Sequence, residues 1–273
     1  MRGRVAFVVL LCLAGLSSGP WASASTSPPL PGSMAAIGDS MTRAADVCCW
    51  YGDHPHQSWS TGDTSWDGIN SHYERILAHK AGIAGHNFND SKSGARMSDA
   101  PGQAGQAVSQ SAKYVTILMG ANDVCRPSID TMTPVDTFRA QLQQTLSALE
   151  SGLPGNAHIF VASIPNILQL WQLFHDNDLA ELIWSEANIC QSMLSTSNTD
   201  ADRRAVLDRE VAFNVVLGEE CAKYANCRFD NLAVFNYQFS GSQVSKLDFF
   251  HPSLSGQAAL AQVTWAASWW SGL

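Results

Sequence analysis

Three short apolar runs, each stopped by glycine or proline, constrain this chain more than anything else in it. Met34–Ile37 ends at Gly38, Tyr114–Met119 at Gly120, and Ala157–Ile164 at Pro165. Runs of this length, apolar without in–out alternation, suit strands buried on both faces. Leu232–Phe235 and Gly85–Asn89 are weaker candidates of the same kind. Between them lie stretches with helical spacing: Ser71–Ala81, Val135–Leu149 after a Thr133-Pro134 start signal, Arg203–Ala225 and Leu254–Trp270. Strands alternating with helices predict an α/β fold, a parallel sheet with helices on both faces. Hydrophobic residues at 45% supply the core for it. With no internal repeat and no linker after residue 33, residues 34–273 are expected to form a single domain.

The amino-terminal residues look like a processing signal. Arg2 and Arg4 precede an apolar run from Val5 to Leu16, too short to span a bilayer, and Ala22-Ser23-Ala24 fits a signal-peptidase site. Residues 1–24 are therefore expected to be removed, and the Ser/Pro-rich residues 25–33 to form a flexible lead-in. The mature chain is expected to be secreted, monomeric and without an integral membrane anchor. The full sequence's formal charge of −8, with no run of basic residues, argues against nucleic acid as a partner.

Cysteine usage agrees with export. Cys12 leaves with the signal, and Cys48, Cys49, Cys125, Cys190, Cys221 and Cys227 remain. An even number in an exported chain predicts three disulfides. Cys221 and Cys227 are close enough in sequence to pair, whereas Cys48, Cys49, Cys125 and Cys190 are expected to pair in an order that spacing does not fix. A metal site from Cys48, Cys49, His54 and His56 is the rival, but it lacks the Cys-x-x-Cys spacing of zinc ligands.

In open parallel sheets, ligands bind beyond the carboxyl ends of the strands. Gly38-Asp39-Ser40-Met41 follows the first run, where glycine permits a tight turn and Ser40 would stand at the strand end or a helix start. Gly120-Ala121-Asn122-Asp123 follows the second, and the Asn122 amide is a potential hydrogen-bond donor. Near the carboxyl end lies Asp248-Phe249-Phe250-His251-Pro252. Pro252 disfavours helix at His251, so Asp248 and His251 share a turn on which a carboxylate can reach the imidazole. Each element alone is ordinary turn chemistry. Their order on one predicted sheet is not.

The chain resembles the GDSL or SGNH family of secreted serine esterases and lipases. Four blocks carry the resemblance: Ser40 in Ala36-Ile37-Gly38-Asp39-Ser40-Met41, Gly94 in Ser91-Lys92-Ser93-Gly94-Ala95-Arg96, Asn122 in Gly120-Ala121-Asn122-Asp123, and Asp248-x-x-His251. It departs in Met41, where the family has Leu, and in Arg43-Ala44-Ala45, where a small residue or glycine is usual. The resemblance implies a three-layer α/β/α sandwich, flavodoxin-like, needing no cofactor and no metal. It implies Ser40 as nucleophile, His251 as base and Asp248 as its orienting carboxylate. The oxyanion hole would comprise the backbone N–H of Ser40, the backbone N–H of Gly94 and the Asn122 side chain. The substrate would be a small-molecule or lipid ester. A carbohydrate O-deacetylase using the same site is the alternative, and an inactive binding module the alternative from another class.

Other residues have structural readings beside functional ones. Trp50, Trp59 and Trp66 would line a substrate cleft or form a buried satellite cluster. Leu168, Leu170, Trp171, Leu173 and Phe174 are expected to pack on the core, with an acyl-chain groove as the alternative. Asn89-Asp90-Ser91 matches a glycosylation sequon.

Overall fold

A computed structural model describes residues 27–273; the expected signal peptide and Cys12 lie outside the described residues. The first half runs β1 (Met34–Gly38), α1 (His72–His79), β2 (Asn87–Asn89), α2 (Ala100–Ser109), β3 (Tyr114–Leu118), α3 (Ala121–Val124) and α4 (Val135–Gly152). The second runs β4 (His158–Val161), α5 (Leu168–Phe174), α6 (Asp178–Glu186), α7 (Gln191–Leu194), α8 (Asp200–Cys221), β5 (Cys227–Phe229), α9 (Ala233–Asn236) and α10 (Leu254–Ala267). All strand pairs are parallel, in the order β2-β1-β3-β4-β5. The chain passes outward from β1 to β2, then returns across β1 to β3. That reversal opens a crevice beyond the carboxyl ends of β1 and β3, where ligands bind in such sheets.

Every residue of β1 and β3 is buried, which is why these strands read as apolar runs, interrupted in β3 by Thr116 alone. On β3, Tyr114 and Thr116 face one helical layer, bonding His72 of α1 and Ser60. His72 bridges Tyr114 and Thr264 of α10. Burial pushes its pKa down to about 3, so it is a neutral core residue. On the other layer α4 packs between α2 and α8, with Phe138 stacked on Phe213. Helix starts follow local chemistry: Ser71 and Glu74 form a capping box on α1, and Thr199 with Asp202 one on α8.

Several expectations change. The edge strand is Cys227–Phe229, and the predicted strand Leu232–Phe235 is the short helix α9. Asp230 takes the N–H groups of both Leu232 and Val234, closing a turn that competes with an extended chain. Residues 27–33 do not hang free: Trp270 donates to the Pro28 carbonyl, and the Lys80 ammonium to that of Leu30.

Cys221 pairs with Cys227 as expected, and Cys125 pairs with Cys190. The expected third bridge is absent among the described residues, because Cys48 and Cys49 are adjacent free thiols on an exposed loop. With Cys125 and Cys190 satisfied by each other, the neighbours have only themselves within reach. The Cys48 thiol pKa is pushed up to about 11 by desolvation and by Cys49 beside it. Intact mass should therefore show four hydrogens fewer than the reduced mature chain, and thiol titration without reductant should find two free groups. Six hydrogens fewer and no free thiol would restore the three-bridge expectation.

Candidate active site

Ser40 follows β1 on a tight turn, 7% exposed. A Cβ on Gly38 would lie 2.4 Å from Thr42 Oγ1 and 2.9 Å from the Leu118 carbonyl. Only glycine lets the turn fold back so closely on β3. Of the two placements left open for Ser40, the strand end is the one found, and no helix starts there. Ala44 and Asp46 adopt left-handed φ values of 50° and 52°, leaving a run of turns. Trp59 holds this turn from beneath by donating to Thr42 Oγ1, and the Gln257 amide donates to the Met41 carbonyl.

Asp248 and His251 occupy one loop before α10. Asp248 Oδ1 accepts the N–H groups of Phe250 and His251, while Oδ2 lies 2.5 Å from His251 Nδ1. Burial opposes ionisation of Asp248, but the imidazole and those N–H groups more than offset it and hold the carboxyl below its ordinary range. Burial likewise opposes the imidazolium of His251. The Asp248 bond and charge, followed by the charges of Asp46 and Asp39, nevertheless raise its pKa above the usual value. No hydrogen bond joins Ser40 to His251, whose Nδ1 is held by Asp248.

The Asn122 amide nitrogen donates to the Ala95 carbonyl at 3.0 Å, tying the Gly94 loop to the end of β3. Gly94 has φ of 78°, a left-handed geometry that glycine adopts without strain. Among the described residues, the backbone N–H groups of Ser40 and Gly94 donate to nothing. Buried Asp123 supports the same loop, accepting the Met97 N–H and the Thr133 hydroxyl.

A cleft opens between these elements. Its floor holds Asp39, Ser40, Met41 and Asn122, and its walls are Ile167, Leu170, Leu173, Phe239, Val244 and Phe250. Pro252, next to His251, completes it. Asp39 is fully buried, with Oδ1 on the Met41 N–H and Oδ2 unpartnered; burial pushes its pKa up to about 7.

The cleft explains residues that sequence left ambiguous. Helix α5 has two roles: Leu170 and Leu173 line the cleft, whereas Trp171 packs under Arg203 and Phe174 against Phe249. The three tryptophans do not cluster. Trp59 is buried, and Trp50 and Trp66 are 67% and 80% exposed, outside the cleft lining. The Asn89 amide is spent on Thr42 and Thr61, which counts against glycosylation there.

Cys48, Cys49, His54 and His56 do not gather as ligands. Among the described residues, the one such group is Asp46, Asp248 and His251, where Nδ1 is already bonded to Asp248. Sequence reasoning missed Asp46 and the apolar wall contributed by Phe239 and Val244. Neither belongs to a motif.

The model of the GDSL-like lipase/acylhydrolase family matches residues 34–263. No curated protein sequence matches the chain. Solved structures with a similar fold include LAE5, an alpha/beta hydrolase enzyme from the metagenome of Lake Arreo, Spain. It is 16% identical over 86% of this chain and 94% of that one, with a TM-score of 0.54. A candidate GDSL-like lipase from Parabacteroides merdae is 17% identical over 89% and 95%, at 0.53. The acetyl xylan esterase AlAXEase is 14% identical over 86% and 98%, at 0.52. At such identities the likeness is one of fold.

Proposed function

This chain belongs to the GDSL-like lipase/acylhydrolase family, and from that premise we propose that it is a secreted serine esterase whose substrates carry an aliphatic acyl chain. It is an ester hydrolase by family; the acyl preference rests on the apolar walls of the cleft that ends at Ser40 and Asn122.

The arrangement supplies each chemical need of such a reaction. Ser40 Oγ attacks the ester carbonyl as His251 Nε2 takes its proton. Asp248, fixed on Nδ1 by two backbone N–H groups of its own loop, sets the tautomer and stabilises the imidazolium. The N–H groups of Ser40 and Gly94, with the second amide hydrogen of Asn122, receive the developing oxyanion. His251 then protonates the leaving alcohol, and water enters by the reverse sequence to release the acid from acyl-Ser40. For secretion, the two disulfides argue for an oxidising compartment, alongside the Arg2–Ala24 signal pattern. No helix of the described residues is long and apolar enough to cross a membrane.

Hydrolysis of p-nitrophenyl esters of increasing acyl length tests the reading. Burying a methylene stabilises by about 0.8 kcal/mol, so kcat/KM should rise roughly fourfold per added carbon until the cleft is filled. Acetate as the best substrate, with a steep fall at butyrate, would instead favour the O-deacetylase reading. No turnover, and no labelling of Ser40 by a fluorophosphonate, would leave a binding module.

A further inference from the structure

We propose that Asp46 is a positioning residue for His251: its carboxylate is a second anionic partner of the imidazolium, set beside Asp248 by the loop that follows Ser40. The inference rests on the reading of His251 as the catalytic base.

The geometry is specific. Asp46 Oδ2 lies 3.8 Å from His251 Nδ1, beyond hydrogen-bond range but well inside the distance at which a charge shifts a histidine. The Asp46 side chain is 17% exposed and that of His251 14%, so the interaction is only weakly screened. The Asp46 main chain is fixed at both ends. Its N–H donates to the Gly52 carbonyl, and its own carbonyl accepts the Ser245 hydroxyl from the His251 loop. The Tyr51 hydroxyl donates to the Leu247 carbonyl, a second latch between the same two loops.

The bland alternative is that Asp46 only closes its own turn. Oδ1 does that, accepting the Gly52 N–H at 2.6 Å. Oδ2 is not needed for the turn, and it is the atom that faces the histidine. Burial, and then the nearby Asp248 charge, raise the pKa of Asp46, although the Gly52 bond opposes this. Two carboxylates brought together around one imidazole repel each other, and protonating that imidazole relieves the repulsion. The charged groups acting on His251 are Asp248 on its own loop, Asp46 on the loop after Ser40, and Asp39 at the end of β1. All three are acidic. They favour the imidazolium, the form His251 takes when Ser40 gives up its proton.

Asp46→Asn is the test, because the amide oxygen still accepts the Gly52 N–H while the charge is gone. In an NMR titration of the His251 ring, the midpoint should fall by about one pH unit relative to wild type. The acid limb of kcat/KM should move to lower pH by the same amount, since the neutral base then persists further into acid. Asp46→Asn combined with Asp248→Asn should lose more kcat than the product of the single losses, because each carboxylate partly covers for the other. Asp46→Ser, whose hydroxyl also accepts from Gly52, serves as a second neutral variant if the first does not fold. An unmoved His251 midpoint in a folded neutral variant overturns the role of Asp46 and leaves the esterase reading intact. A midpoint that falls while the acid limb stays put shows that His251 is not the base, and both readings then fail.

Discussion

Replacing Ser40 with alanine is expected to lower kcat by on the order of 10⁴–10⁶, and His251→Ala by the same order. In the proposed mechanism the two residues serve one proton transfer, so the double variant should lose little more than either single one. Without Oγ there is nothing for the histidine to deprotonate, and without the histidine the Ser40 hydroxyl is a poor nucleophile. Both variants should keep their fold. Ser40 Oγ makes no hydrogen bond among the described residues, and the His251 loop retains its backbone bonds between Ser245 and His251 and between Phe249 and Ser245. Asp248→Asn should cost less than either, because the ring and the Asp46 carboxylate both remain. Turnover of a p-nitrophenyl ester and fluorophosphonate labelling measure these effects. Losses that multiply independently in the double variant would contradict a shared step, and wild-type turnover in Ser40→Ala would remove Ser40 from the reaction.

Much of this site was legible because its anchors are the parts of the fold that leave the clearest trace. A strand buried on both faces has to be mostly apolar, so β1 and β3 announce themselves and point to the residues after them: Ser40 and Asn122. Asp248-x-x-His251-Pro252 was readable for a local reason, since proline and a short carboxylate confine the turn. Residues positioned by tertiary contacts left no such trace. Asp46 reaches His251 through two left-handed residues, Ala44 and Asp46 itself, and through a hydroxyl on Ser245 nearly two hundred positions away. Helix α2, which frames Gly38 through both ends of the Gln103 amide, contains Gly102 and Gly105, and its buried face is only small alanines around Gln103, too weak an apolar stripe to stand out. The edge strand β5 is three residues long, and its middle member, Arg228, is exposed, so no hydrophobic pattern could mark it. Short separation in sequence pointed to Cys221–Cys227, but the even cysteine count could not show that Cys48 and Cys49 would stay unpaired.

Asn122→Ala is expected to lower kcat by roughly 10²–10³, corresponding to about 2.7–4 kcal/mol of transition-state stabilisation, with KM nearly unchanged. The amide nitrogen has two hydrogens. One is held by the Ala95 carbonyl at 3.0 Å, which fixes the plane of the amide, and the other is free at the floor of the cleft beside Ser40. A donor fixed in this way need not reorient as the oxyanion develops, so its worth appears in turnover and not in ground-state binding. Asn122→Asp should be worse than alanine for two reasons. A carboxylate would face the Ala95 carbonyl with no hydrogen to offer, and it would set a negative charge where the oxyanion forms. The structural alternative is that Asn122 serves only to tie the Gly94 loop to the end of β3. Both variants would then lower the melting temperature while folded protein turned over normally, because Ser40, His251 and Asp248 are untouched. Melting curves taken alongside the kinetics separate the two: a folded Asn122→Ala enzyme with ordinary kcat would reduce the oxyanion hole to the N–H groups of Ser40 and Gly94.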